Sequence, residues 1–105
     1  MEVNSLMDKT LQAIKQLAIL EPKTLEQMAL KLSEESGEVA QAVLSQTKAS
    51  GNQYKSLQTE DIKEECIDAI LVATALYYKL EGSSDEEFTA LLTEKMTKWK
   101  QHLHN

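Results

Sequence analysis

The chain reads as all-α, a four-helix bundle, on three observations. Only three Gly and one Pro occur among its 105 residues, so turns are few and the elements between them must be long. No stretch alternates β-branched or aromatic residues with polar ones, and no Asn-Gly or Asp-Gly hairpin occurs. Apolar residues instead recur three and four apart in four blocks. The length suits one domain, residues 1–105, with one core. A chain this short covers its own apolar surface only marginally, so association with further copies is expected.

The first helix is expected over about residues 5–20, where Leu6, Leu11, Ile14, Leu17 and Ala18 fall near helical spacing; Pro22 stops it. The second opens at Thr24, with Gln27 three residues on as its capping-box partner, and runs to about residue 47. Leu25, Met28, Leu32, Val39 and Val43 mark its apolar stripe. Residues 48–58, KASGNQYKSLQ, are polar, contain Gly51 and Asn52, and read as a loop. The third helix starts near Thr59 or Asp61, with Asp61 and Glu64 as a second capping box, and ends at Gly82. The fourth follows Ser84, has Glu87 at its N3 position, and continues to about Leu103; Phe88, Leu91, Leu92, Met96 and Trp99 make its buried face.

The third helix bears on assembly. From Cys66 to Tyr78 it reads CIDAILVATALYY, with Asp68 its only charge. A helix apolar on all sides must be surrounded, and three short companions cover it poorly. Packing against a second copy, as in a homo-oligomer, would cover it; a central helix wrapped by its own chain is the other reading.

A net charge of −6 argues against nucleic-acid partners, which need a basic face. All eleven cationic side chains are Lys, so phosphate recognition falls to lysines, metal ions or backbone N–H groups. The single cysteine, Cys66, forms no intrachain disulfide and reads as a small buried hydrophobe. The polar opening, MEVNSLMDKTLQ, lacks the apolar stretch of a signal peptide, and no run approaches the ~18 apolar residues of a membrane span. A cytoplasmic protein without a membrane partner is expected.

Acidic residues stand where a core should be. Met28, Leu32, Glu35, Val39 and Val43 follow one helical face, and Glu35 interrupts it with a charge. Glu38 lies one turn on, and Glu34 borders the same side. On the third helix Glu65 and Asp68 are three apart, with Asp68 inside the apolar run. An unpaired carboxylate there is costly, and like charges so close raise one another's pKa. A Lys partner, a shared proton or a metal ion would each relieve the conflict. Oxygen-only ligand sets suit Mg²⁺, Mn²⁺ or Ca²⁺, and Mg²⁺ is commonly completed by substrate phosphates.

These residues form two motifs. KLSEESGEVAQAV carries E-E-x-x-E at Glu34, Glu35 and Glu38, and EECIDAIL carries E-x-x-D at Glu65 and Asp68, with residues 39–64 between them. Together with Lys31 before the first motif and Gly37 inside it, the pattern resembles the MazG-like all-α NTP pyrophosphohydrolases, over roughly residues 24–80. That superfamily includes dimeric dUTPases and phosphoribosyl-ATP pyrophosphohydrolases.

The resemblance implies hydrolysis of a nucleoside triphosphate to the monophosphate and pyrophosphate, by a helical dimer or dimer of dimers with Mg²⁺, or Mn²⁺, as cofactor. By position, Glu35, Glu38, Glu65 and Asp68 would be metal ligands. Glu34 would be a further ligand or would position the attacking water, with Glu34 or Glu35 as general base. Lys31 would lie near the phosphates. Family members often carry Lys, Asn and Arg near the last helix; here the stretch is EKMTKWKQHL, without Arg, leaving Lys95 as the phosphate contact. The Tyr-His that typically follows the aspartate in the phosphoribosyl-ATP branch is replaced by Ile70, Leu71 and Val72, which ranks that branch lower.

Among the remaining residues, Trp99 reads as a core or interface anchor, with stacking on a base as the other option. Tyr54 lies in the loop, within reach of a base. Tyr77 and Tyr78 are expected to pack, and His102 and His104 to face solvent near the chain end. Two competing readings stand beside the hydrolase: a helical oligomerisation module whose acids pair with lysines, and a house-cleaning or regulatory protein that binds nucleotides without turning them over.

Overall fold

The computed structural model describes residues 2–47 and 59–104. They form four helices and no strand: α1 (Glu2–Leu20), α2 (Leu25–Gln46), α3 (Thr59–Lys79) and α4 (Asp85–Leu103). Among the described residues no helix is long and apolar enough to cross a membrane. The stretch expected to be a loop, residues 48–58 with Tyr54, lies outside the described residues.

Local chemistry sets the helix ends. Glu21 N–H donates to Ala18 C=O at 3.3 Å as α1 closes before Pro22. Thr24 then caps α2 as expected: its hydroxyl accepts from Gln27 N–H at 3.1 Å, and Gln27 Oε1 accepts from Thr24 N–H at 2.9 Å. The third helix ends at Lys79, earlier than the expected Gly82, because residues 80–83 form a turn closed by Ser83 N–H on Leu80 C=O at 3.3 Å. Its third residue, Gly82, takes a φ of 83°, where a side chain would be strained. Ser84 caps α4 by accepting from Glu87 N–H at 3.1 Å. The three acidic residues of α4's first turn and Lys100 and His102 of its last complement the helix dipole.

The packed part of the molecule is α3 against α2 and α1. Its buried residues are mostly small: Ile14 and Ala18 on α1, Met28, Ala42 and Ser45 on α2, and Thr74 on α3. Small side chains at a helix crossing let the backbones approach closely, which brings the acidic turns of α2 and α3 together. The flanks of the expected stripes stay open. Leu6, Leu17, Leu25 and Val43 are exposed, and so are Ile67, Ile70 and Leu71 on α3.

α4 departs most from expectation. Its first turn is tied down: Tyr78 Oη donates to Asp85 Oδ1 at 2.8 Å and Gln12 Nε2 donates to Asp85 Oδ2 at 2.7 Å. Phe88 rings with Tyr77 at 5.2 Å and Tyr78 at 5.8 Å, so these tyrosines pack as expected. Beyond Phe88 every residue of α4 is exposed. Leu91, Leu92, Met96 and Trp99, expected to be buried, stand open, Trp99 at 66% exposure. After the connection through residues 80–84 the start of α4 packs on α3 through Phe88, and the rest of its apolar face is exposed among the described residues. The Cα radius of gyration is 16.4 Å, against about 13 Å for a compact chain of this length.

Candidate metal and phosphate site

The crossing of α2 and α3 gathers the five acidic residues of the two motifs. Carboxylate oxygens of Glu34, Glu35 and Glu38 lie within 4.8 Å of one another, and so do those of Glu35, Glu65 and Asp68. Glu35 belongs to both sets and is their buried centre at 6% exposure. Glu65 is half-buried beside it, while Glu34, Glu38 and Asp68 form an exposed rim. Asp68 therefore faces outward; one position on an all-apolar stretch does not fix which side of it is covered.

The electrostatics are partly resolved from within. Lys31 Nζ lies 3.1 Å from Glu35 Oε1 and 3.2 Å from Glu34 Oε1. These two carboxylates hold the Lys31 ammonium above its usual range, the hydrogen bond to Glu35 contributing most. Glu65 is pushed above the ordinary carboxyl range, chiefly by its hydrogen bond with Glu38, then by burial and by the charges of Glu38, Asp68 and Glu35. Two carboxyl groups share a hydrogen bond only when one of them holds a proton. Two reliefs are thus in view: Lys31 is paired with Glu34 and Glu35, and Glu65 holds a proton more readily than a free carboxyl.

They do not suffice. Glu35 Oε2 and Glu65 Oε2 are buried and have no hydrogen-bond partner among the described residues. A buried unsatisfied polar atom costs about 1–3 kcal/mol, and more when charged. Both atoms lie in side chains of one oxygen-only cluster, the donor set that hard divalent cations select. The donor chemistry of either set, Glu34, Glu35 and Glu38 or Glu35, Glu65 and Asp68, therefore fits a divalent cation.

No family model, no curated protein and no solved structure matches this chain.

The remaining candidates are placed apart from this cluster or in a different role. Lys31 borders the carboxylates and is paired with them. Lys95 lines an apolar cavity with Tyr77, Phe88, Leu91 and Leu92. Trp99 stands one turn further along α4. The structure does not bring Lys95 or Trp99 to the carboxylates within one protomer. Cys66, expected to be buried, is exposed on α3, and His102 and His104 are exposed as expected.

Three charged residues near the site escaped the sequence reading. Lys63 lines an open cavity with Glu64, Ile67 and Asp68. Glu21 and Lys23, in the α1–α2 connection, edge a cavity that also reaches Lys31. Lys63 shares a face of α3 with Ile67 and Asp68, so helical spacing could have marked it, whereas Glu21 and Lys23 reach their cavity from the α1–α2 connection, which no spacing rule along one helix marks.

Proposed function

We propose that the chain is a Mg²⁺- or Mn²⁺-dependent nucleoside triphosphate pyrophosphohydrolase, releasing a nucleoside monophosphate and pyrophosphate. The observation that carries this reading is the pair of buried, unpartnered carboxylate oxygens, Glu35 Oε2 and Glu65 Oε2, at the centre of a five-carboxylate cluster. The motif resemblance supplies the reaction, and the convergence of both motifs on one patch supports it.

Glu35, Glu38, Glu65 and Asp68 would hold the cation. When bound, a divalent ion neutralises phosphate oxygens and orients the leaving pyrophosphate. The protein's own groups supply the rest. Glu34, exposed on the rim and adjacent to Glu35, accepts a proton from water as that water's oxygen bonds to the α-phosphorus. The bond from that phosphorus to the bridging oxygen of the β-phosphate breaks, and pyrophosphate leaves with the electron pair. Lys31, held by Glu34 and Glu35, stabilises the carboxylate cluster and presents positive charge beside it. Without any Arg in the chain, lysines and the cation carry the phosphate charge.

The working form in this reading is a homodimer or dimer of dimers. The protomer's accessible surface is 8065 Å², against about 5,900 Å² for a compact monomer of this mass. The excess is larger than the roughly 800 Å² per partner that a standard interface buries. Ile67 and Ile70 on α3 and Leu92, Met96 and Trp99 on α4 are the apolar surface such a contact would cover. That same open face favours a second reading, a non-catalytic helical oligomerisation module. Thermal stabilisation by Mg²⁺ separates the two, since a bare bundle gains none.

The test is pyrophosphate release from a panel of ribo- and deoxyribonucleoside triphosphates with Mg²⁺. Release is expected from the wild type. Glu38→Gln and Asp68→Asn are each expected to lower it by about 10³-fold or more, in line with removing transition-state charge stabilisation, while the helical circular dichroism is unchanged. Absence of release from every triphosphate, or wild-type turnover in both variants, overturns the reading.

A further inference from the structure

Beside the carboxylates lies a second cavity of about 210 Å³. Its floor is apolar, built from Ile14 on α1, Met28 on α2 and Val72 and Ala75 on α3. Three charged residues edge it: Glu21, Lys23 and Lys31. Lys31 joins it to the carboxylate patch, because the same Nζ lies 3.1 Å from Glu35 Oε1. The cavity is smaller than the roughly 300–1,000 Å³ pockets that enclose drug-sized molecules. It suits one flat ring system and excludes a whole nucleotide.

The rim is fixed in place. Lys79 Nζ donates to Glu21 C=O at 2.7 Å, which ties the α1–α2 connection to α3. Lys23 Nζ lies 3.1 Å from Glu21 Oε1. The Lys23 hydrogen bond, with the added charge of Lys79, holds the Glu21 carboxyl below its usual range despite some desolvation, so it is ionised at neutral pH. A carboxylate only accepts hydrogen bonds and an ammonium only donates them. The edge of the cavity therefore presents one acceptor beside one donor over an apolar floor.

Resting on the reading above, we propose that this cavity is the base subsite. It takes the heterocycle of the nucleotide whose phosphates lie at the carboxylates, and Glu21 and Lys23 read that heterocycle's polar edge. The complementary edge is an exocyclic amine beside a ring-nitrogen acceptor, as on 6-aminopurines and 4-aminopyrimidines. The amine donates to Glu21 and the ring nitrogen accepts from Lys23. An oxo group in place of the amine sets oxygen against the Glu21 carboxylate. Amino bases are therefore preferred over their oxo counterparts, adenine over hypoxanthine and cytosine over uracil.

The test is binding to the full chain in Mg²⁺, by calorimetry, of inorganic tripolyphosphate and of the non-hydrolysed α,β-methylene triphosphates of adenosine, inosine, cytidine and uridine. The wild type is expected to bind the adenosine compound about tenfold or more tighter than tripolyphosphate, the scale of an apolar pocket's contribution. Ala75→Phe, which fills the floor, removes that advantage and leaves tripolyphosphate binding unchanged. Glu21→Gln, a change of the same size at a half-buried position, erases the amino-over-oxo preference. Equal wild-type affinity for tripolyphosphate and nucleotide, or a folded Ala75→Phe protein with undiminished nucleotide affinity, overturns the base subsite and leaves the phosphate site standing. An amino-over-oxo preference that survives Glu21→Gln overturns the role of Glu21. Failure of tripolyphosphate to bind with Mg²⁺ overturns the phosphate reading instead, and the base subsite with it.

Discussion

The second and fourth helices look alike in sequence and end differently. Both are amphipathic, both open on a hydroxyl cap, and each has an apolar stripe at three- and four-residue spacing. The stripe of α2 lies against α3 and buries Met28, Ala42 and even the charged Glu35. Beyond Phe88, which packs on Tyr77 and Tyr78, the stripe of α4 stays exposed, although it carries the larger side chains Met96 and Trp99. The difference teaches that periodicity states which face of a helix must be covered, and size does not say by what. Small residues let α2 sit close to α3. Large ones on α4 offer area to a surface that another copy would supply.

The largest expected effect breaks this contrast directly. Charging the α4 face with the double substitution Met96→Lys and Trp99→Lys is expected to turn an assembled protein into a monomer in sedimentation equilibrium. The helical signal per residue should change little, because neither side chain is buried within the protomer. A wild type that is already monomeric, or a variant of unchanged mass, would remove the assembly reading.

A smaller effect sharpens the other side. Ala42 is fully buried on α2. Ala42→Leu adds bulk to a close crossing and is expected to cost about 1–3 kcal/mol, seen as a lowered Tm. The same enlargement at Ala90, exposed on α4, is expected to leave the Tm within about 0.5 kcal/mol of wild type. Similar losses at both sites would show that α4 is as tightly covered as α2.

The smallest effect is in the pH dependence. The folded chain holds the Glu65 carboxyl above its ordinary value of 4.5 through the hydrogen bond with Glu38, burial and neighbouring charges. The folded state therefore binds this proton more tightly than the unfolded state. The contribution is fully present below the unfolded value and is lost as pH rises through the folded one. In metal-free protein, Glu65→Gln is expected to remove this loss, so its Tm falls less than that of wild type between acid and neutral pH. Parallel Tm profiles for the two proteins would show that Glu65 is not held in this way.

Much of the candidate site was legible because it runs along single helices. Glu35 breaks an apolar stripe, Glu34 and Glu38 flank it within a turn, and Glu65 and Asp68 repeat the spacing. Their convergence was less legible, since periodicity places each pair on its own helix and leaves the crossing open. The assignments that went astray share a cause. Cys66, Leu91, Leu92, Met96 and Trp99 were placed inside on apolar character alone, and all are exposed. Hydrophobicity reports the cost of exposure, not the presence of a neighbour.

The sequence by itself determined four helices, the Thr24 and Ser84 caps and the faces bearing acid. Capping and periodicity act over one or two turns, within reach of a local pattern. Only the tertiary structure decided that α2 and α3 pack so that Glu35 Oε2 and Glu65 Oε2 are buried without hydrogen-bond partners among the described residues. It alone brought Glu21 and Lys23 to a cavity shared with Lys31, and it alone left α4 exposed beyond Phe88. These outcomes depend on distances between residues far apart in the chain, which are set by how whole helices pack and not by any residue's near neighbours.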